Sequence, residues 1–332
     1  MTSSTSSRVL RLLRGRAEEL VEFLLELVAI ESPSSDPDGQ RAVFRRVRDV
    51  LRGCGYQVTH LSGRTSGGQL YARPVSRRRG QACQIIIGHV DTVWSLGTLG
   101  EMPAVYDQGT GVLRGPGSYD MKAGVAQAVF ALKAIQEAEL EPEVLPLVFL
   151  NSDEEIGSRE SSARLRRLAR VSDRALVLEP SLEPGGKLKT SRKGIGRFTL
   201  RVKGKAAHAG LDPGGGASAI LELSHQIQRL FALNDPAAGV SVNVGLIDGG
   251  MGVNVVAPES RAQIDVRVPT RDEAERITAA IYGLAPVDPE VELEVSGGIG
   301  RPPMEATARN RSLWAVAKSL GEQLGLDLEE GA

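Results

Sequence analysis

The sequence predicts an α/β protein: a mainly parallel sheet with helices, into which a smaller ferredoxin-like β-α-β-β-α-β domain is inserted. Three observations carry this expectation. Apolar strand-like runs alternate with helical runs from residue 84 to residue 178, the signature of parallel strands joined by helices. Beyond residue 193 the runs become alternating, half-exposed strands around two helices. The chain has 332 residues, more than one core comfortably fills, so two domains are the natural division.

The elements follow in order. Residues 16–30 read as an amphipathic opening helix, with Glu18, Glu19, Glu22 and Glu26 among its leucines. Residues 40–53 have helical spacing and place Val43, Val47 and Leu51 on one face. Residues 84–88 read as a buried strand, 122–140 as a long alanine-rich helix and 144–150 as a second apolar strand. A helix over 160–169 leads to a third strand at 175–178. The second pattern gives a strand at 195–203, a helix at 217–233, strands at 240–247 and 261–268, a helix at 271–284 and a strand at 291–295. The expected division is therefore a first domain over 1–192, an inserted domain over 193–298 and a return to the first domain over 299–332, with a helix at 312–324.

Composition narrows the class. Apolar residues make up 41% and charged residues 24%, as in an ordinary soluble globular protein. A net charge of −1 gives no electrostatic case for nucleic acid or an anionic membrane. No run reaches the roughly 18 apolar residues that span a bilayer. The acidic residues of the opening helix break any signal-peptide core. Cys54 and Cys83 form no CxxC pair, which suits a reduced compartment. A cytoplasmic protein is expected.

The chemistry sits at the ends of the expected strands. The first strand runs into Gly88-His89-Val90-Asp91, and the second into Asp153-Glu154-Glu155-Ile156-Gly157-Ser158. The third runs into Leu178-Glu179-Pro180, while Gly115-Pro116-Gly117-Ser118-Tyr119-Asp120 precedes the long helix. Open α/β sheets bind ligands at the carboxyl ends of their strands. Each piece has an ordinary reading when taken singly: Asp120 a helix N-cap, His89 a loop histidine, the acidic run a solvated turn. Together, in this order, they put several carboxylates and one imidazole at one place. Such a crowd repels itself unless a cation sits among it. The donor set suits zinc or a similar divalent ion, and the surplus of carboxylates favours two ions sharing a bridging ligand. Asp91 could orient His89 or another ligand.

The run HVD, GxGxxDMK, DEEIGS and LEP between His89 and Pro180 closely resembles the M20 zinc peptidases, within them the glutamate carboxypeptidase branch. The resemblance extends over most of the chain. It implies a zinc-peptidase catalytic domain with an inserted dimerisation domain, and a homodimer formed through that insert. It further implies two zinc ions, with Asp120 bridging them, His89 and Glu179 completing one site and Glu155 serving the other. Asp91 would orient His89, and Glu154 matches the general base. His208 matches a histidine that reaches the partner's active site and steadies the oxyanion. Asn254 and Arg267 match positions that hold the substrate's free carboxylate, and Lys187 matches a substrate-side position. Arginine suits that task because its planar fork binds a carboxylate through two parallel hydrogen bonds.

In the family a further histidine near the carboxyl terminus completes the second zinc. No histidine follows His225 here, so the chain is expected to stop short of that ligand, and His60 and His225 read as structural. The leading expectation is hydrolysis of a peptide or N-acyl amide bond that releases a carboxyl-terminal amino acid such as glutamate. A deacylase acting on acetylornithine-like or succinyl-diaminopimelate-like amides is the alternative within the class. A non-catalytic remnant is the alternative outside it.

Overall fold

The computed structural model describes residues 5–332. They form two compact units, residues 5–181 with 323–325, and residues 182–322 with 326–332.

The first unit opens with α1 (Thr5–Gly15), α2 (Ala17–Val28) and α3 (Pro37–Gly53). Asp36 starts α3 by accepting the amides of Asp38 and Gly39, with Pro37 at the first helical position. Next come β1 (Tyr56–Leu61), β2 (Gln69–Pro74) and β3 (Cys83–His89). A short α4 (Thr98–Glu101) and the hairpin of β4 (Val105–Asp107) with β5 (Val112–Arg114) lead to the turn Ser118–Lys122. Then follow α5 (Ala123–Glu137), β6 (Leu145–Asn151), α6 (Ser162–Arg170) and β7 (Arg174–Val177).

The sheet order is β1-β2-β6-β3-β7. β3 runs parallel to both β6 and β7, and the β1–β2 hairpin joins antiparallel at one edge. All seven residues of β6 are buried, as a strand covered on both faces requires. Val28 from α2, Val43, Val47 and Leu51 from α3, and Val125 and Val129 from α5 pack with Leu70, Ile86, Val148 and Leu150. One contact fixes the start of α5 against the exit of β7. A Cβ added to Gly124 would lie 2.0 Å from the Leu178 carbonyl oxygen, so only glycine allows this approach. The structure adds α1 and the β1–β2 hairpin to the elements expected from sequence.

The second unit contains β8 (Leu188–Lys189), β9 (Gly194–Lys203), α7 (Ala219–Phe231), β10 (Ser241–Gly249), β11 (Glu259–Val268), α8 (Arg271–Tyr282), β12 (Glu292–Arg301), α9 (Ala308–Gln323, all but its last residue) and β13 (Glu330–Gly331). From β9 to β12 this is the β-α-β-β-α-β order. The sheet runs β10-β11-β9-β12 with every pair antiparallel. β9 buries alternate residues, Phe198, Leu200 and Val202, against Leu223 and Leu230 of α7 and Ile277 and Ile281 of α8. Residues 299–322 group with this unit, where the sequence suggested a return to the first domain. Backbone pairing explains the difference: Arg192 and Met304 exchange hydrogen bonds of 2.9 Å, and β8 pairs with β13. No described helix is long and apolar enough to cross a membrane.

Candidate active site

His89 is the last residue of β3, and its parallel neighbours end beside it. β6 opens into the turn that carries Glu154 and Glu155, and β7 into Leu178-Glu179. Asp120 arrives from the turn before α5. Its backbone there is not helical, and the Asp120–Met121 peptide is cis. It does not cap α5: the helix starts at Ala123 after Lys122, with no side-chain cap.

The His89 ring is buried and held on both sides. Nδ1 lies 2.9 Å from the Asp91 backbone oxygen and 3.5 Å from its carboxylate. Nε2 points at the acidic residues, 3.2 Å from Asp120 and 3.6 Å from Glu179. The backbone amide of His89 donates to Met121 Sδ at 3.1 Å. His89, Glu154 and Glu179 offer ligand atoms within 4.8 Å of one another, as do His89, Asp120 and Glu155.

Electrostatics follow from that crowding. Burial alone would lower the His89 imidazole, but hydrogen bonds to Asp120 and Asp91 and the charge of Glu179 outweigh it and push it up to about 11. Burial raises Glu179 to about 7, with Asp120 and Glu154 adding to the rise against His89. Glu155 is raised by burial and its acidic neighbours. Asp91 goes the other way: although burial opposes it, His89, Ser34 and the Glu155 amide hold its carboxylate below the usual range. Without a cation, the cluster keeps a proton on its imidazole and draws another toward Glu179. One neutral imidazole and four converging carboxylates are a fitting donor set for divalent cations, which would displace those protons.

The remaining candidates lie in the second unit. His208 is exposed, and its Nδ1 accepts the amides of Gly210 and Leu211 at 3.1 and 3.2 Å. Asn254 sits on the adjoining loop, where its carbonyl accepts the Ala209 amide at 3.0 Å. Arg267 lies on the outward face of β11, its guanidinium forked onto Asp265 at 2.8 and 3.3 Å. Lys187 pairs with Glu183 at 2.9 Å and Glu329 at 3.4 Å. His60 packs on Phe44 and bonds the Gly67 carbonyl at 2.8 Å, and His225 lies within α7. Sequence reasoning missed Met121 and Ser34, both of which touch the residues around His89.

A sheet that gathers acidic residues and one imidazole at its strand ends can hold divalent cations, and the chain also carries a β-α-β-β-α-β unit. Residues 190–286 match the M20 peptidase dimerisation domain. Over 320 residues the chain is 27% identical to carboxypeptidase G2 of Pseudomonas sp. (strain RS-16), covering 94% of this chain and 76% of that protein. The fold is shared with aminopeptidase PepT from Bacillus cereus ATCC 10987, at a TM-score of 0.74 and 20% identity over 95% of this chain and 84% of that one. It is also shared with the Bacillus subtilis YXEP protein, a dinuclear metal-binding peptidase from the M20 family, at a TM-score of 0.66 and 12% identity over 96% and 83%. The chain thus carries an M20 peptidase dimerisation domain and is a homologue of carboxypeptidase G2, likenesses that make it a hydrolase.

Proposed function

We propose that this chain hydrolyses a peptide or N-acyl amide bond and releases a carboxyl-terminal amino acid of the glutamate type, in the cytoplasm and with two zinc ions. The observation that carries the reading is the convergence of Asp120, Glu154, Glu155 and Glu179 around His89. The carboxypeptidase homologue supports release from the carboxyl end. His89, Asp120 and Glu179 would hold one ion, and Asp120 and Glu155 the other. Bound there, the ions polarise the scissile carbonyl and make a water nucleophilic near neutral pH.

The chain's own residues do the rest. Glu154 accepts the proton of the attacking water and delivers it to the leaving nitrogen. Asp91 keeps His89 Nε2 turned toward the cluster. His208, from a second copy of the chain dimerised through residues 193–298, steadies the oxyanion. Asn254, Arg267 and Lys187 receive the substrate's carboxylate, which exchanges with the acidic partners that now hold Arg267 and Lys187.

Glu154→Gln tests the assignment, because an amide has nearly the shape of the carboxylate and cannot take the proton. Turnover of an N-acyl glutamate should fall by about 10²–10⁴-fold while zinc content and melting temperature hold. A loss of less than about tenfold, well short of that range, would assign the base elsewhere.

A further inference from the structure

We propose that Ser34 is a positioning residue for the metal cluster, acting through Asp91. The inference rests on the metal-centre reading above and extends it to a residue that touches no ligand atom.

Asp91 is fully buried, and each of its oxygens has a task. Oδ1 accepts the Glu154 amide at 3.2 Å and faces His89 Nδ1 at 3.5 Å. Oδ2 accepts the Glu155 amide at 3.1 Å and the Ser34 hydroxyl at 2.9 Å. One carboxylate thus holds the backbone of both adjacent glutamates and lies beside the imidazole, whose Nδ1 bonds the carbonyl of the same residue, Asp91, at 2.9 Å. Its plane is set by these donors, and Ser34 supplies a side-chain hydroxyl. A buried carboxylate that loses a donor turns toward other partners, because an unsatisfied oxygen is costly to bury. Such a turn would carry the Glu154-Glu155 backbone with it and shift the charge that faces His89 Nδ1.

Ser34 is itself firmly placed. Its amide donates to the Thr92 carbonyl at 3.2 Å, and the Thr92 amide returns to the Ser32 carbonyl at 3.0 Å. The Ser32 hydroxyl bonds the Val90 carbonyl at 2.6 Å, and Gln40 Nε2 bonds the Pro33 carbonyl at 2.7 Å. Buried Lys122, at the end of the Asp120 turn, donates to the Ile30 carbonyl at 2.7 Å. Residues 30–34 therefore bear on the His89–Asp91 strand end and on the Asp120 turn, and through Asp91 on the two glutamates.

Zinc affinity of Ser34→Ala, measured by competition with a chromophoric chelator, should fall about 10-fold or more, within the 10–100-fold range for outer partners of metal ligands. Ser34→Thr, which keeps the hydroxyl, should restore it. In an Asp91→Asn background Ser34→Ala should add nothing. Melting of the metal-free proteins provides the structural control, and the metal-free Ser34→Ala chain should melt as the unaltered chain does. Unchanged zinc affinity in Ser34→Ala, a Ser34→Thr chain as weak as Ser34→Ala, or a Ser34→Ala chain that fails to fold would each overturn the assignment. If the unaltered chain binds no zinc, the metal-centre reading itself falls with it.

Discussion

Asp120 occupies backbone at φ −115° and ψ 102° inside a turn that otherwise leads straight into α5. This extended residue lets its carboxylate approach His89 while α5 begins behind it. As the residue assigned to both ions, it should matter more than any other ligand. Asp120→Ala is expected to lose most of the bound zinc after dialysis, measured by elemental analysis, and full retention would remove the bridging role. The ligand candidates were legible in the sequence because each follows an apolar run at a strand end or precedes a helix. Ser34 and Met121 were not legible. A serine beside a proline and a methionine within a turn carry no periodic signal, and their roles arise only from contacts across the fold.

At the scale of elements, α5 depends on one missing side chain. Gly→Ala inside a helix ordinarily stabilises by about 0.5–1 kcal/mol. At Gly124 the added methyl would meet the Leu178 oxygen at 2.0 Å, so the sign reverses. Gly124→Ala should lower stability in urea and, by displacing the Leu178-Glu179 exit, weaken zinc binding. A more stable variant would contradict this packing.

In the second unit, Glu222 of α7 is buried and accepts the amides of Val287 and Asp288, each at 2.9–3.0 Å. Burial opposes its charge, but the Asp288 amide, Gln226, the Val287 amide and His225 together lower its pKa below the usual 4.5. A carboxylate lowered on folding stabilises above its unfolded value, and that stability is lost as pH falls through the folded one. Stability measured by chemical denaturation below about pH 5 should therefore fall more steeply with falling pH for the unaltered chain than for Glu222→Gln. Equal slopes would show that Glu222 does not carry this dependence. The β-α-β-β-α-β order was legible because its strands alternate cleanly, as in β9. The β1–β2 hairpin was not, since Gln57, Thr59 and His60 dilute the apolar signal of β1. α1 fully buries no residue, and Leu13 packs only partly buried against the first core.

For the whole molecule, the proposed dimer makes a prediction that no single site makes. β10 is an edge strand, and Leu246 and Ile247 on it are exposed, as are Met251 and Val253 just beyond. An apolar edge of this kind suits an isologous contact with a second copy. Mixing inactive His208→Ala chains with inactive Glu154→Gln chains should restore part of the activity, since one mixed site keeps both groups. No recovery despite demonstrated subunit exchange would exclude action across the interface.

The sheet order of the first unit also has a consequence for how the chain is made. β6 lies between β2 and β3 in space, although both precede it in the chain. On the ribosome, the hairpin and β3 emerge with open edges and no partner between them until β6 follows. Nascent chains held at that stage expose unpaired amides and apolar faces that invite association with their neighbours. Soluble yield should therefore respond to growth temperature and to co-expressed holdase chaperones, even where the finished protein is stable.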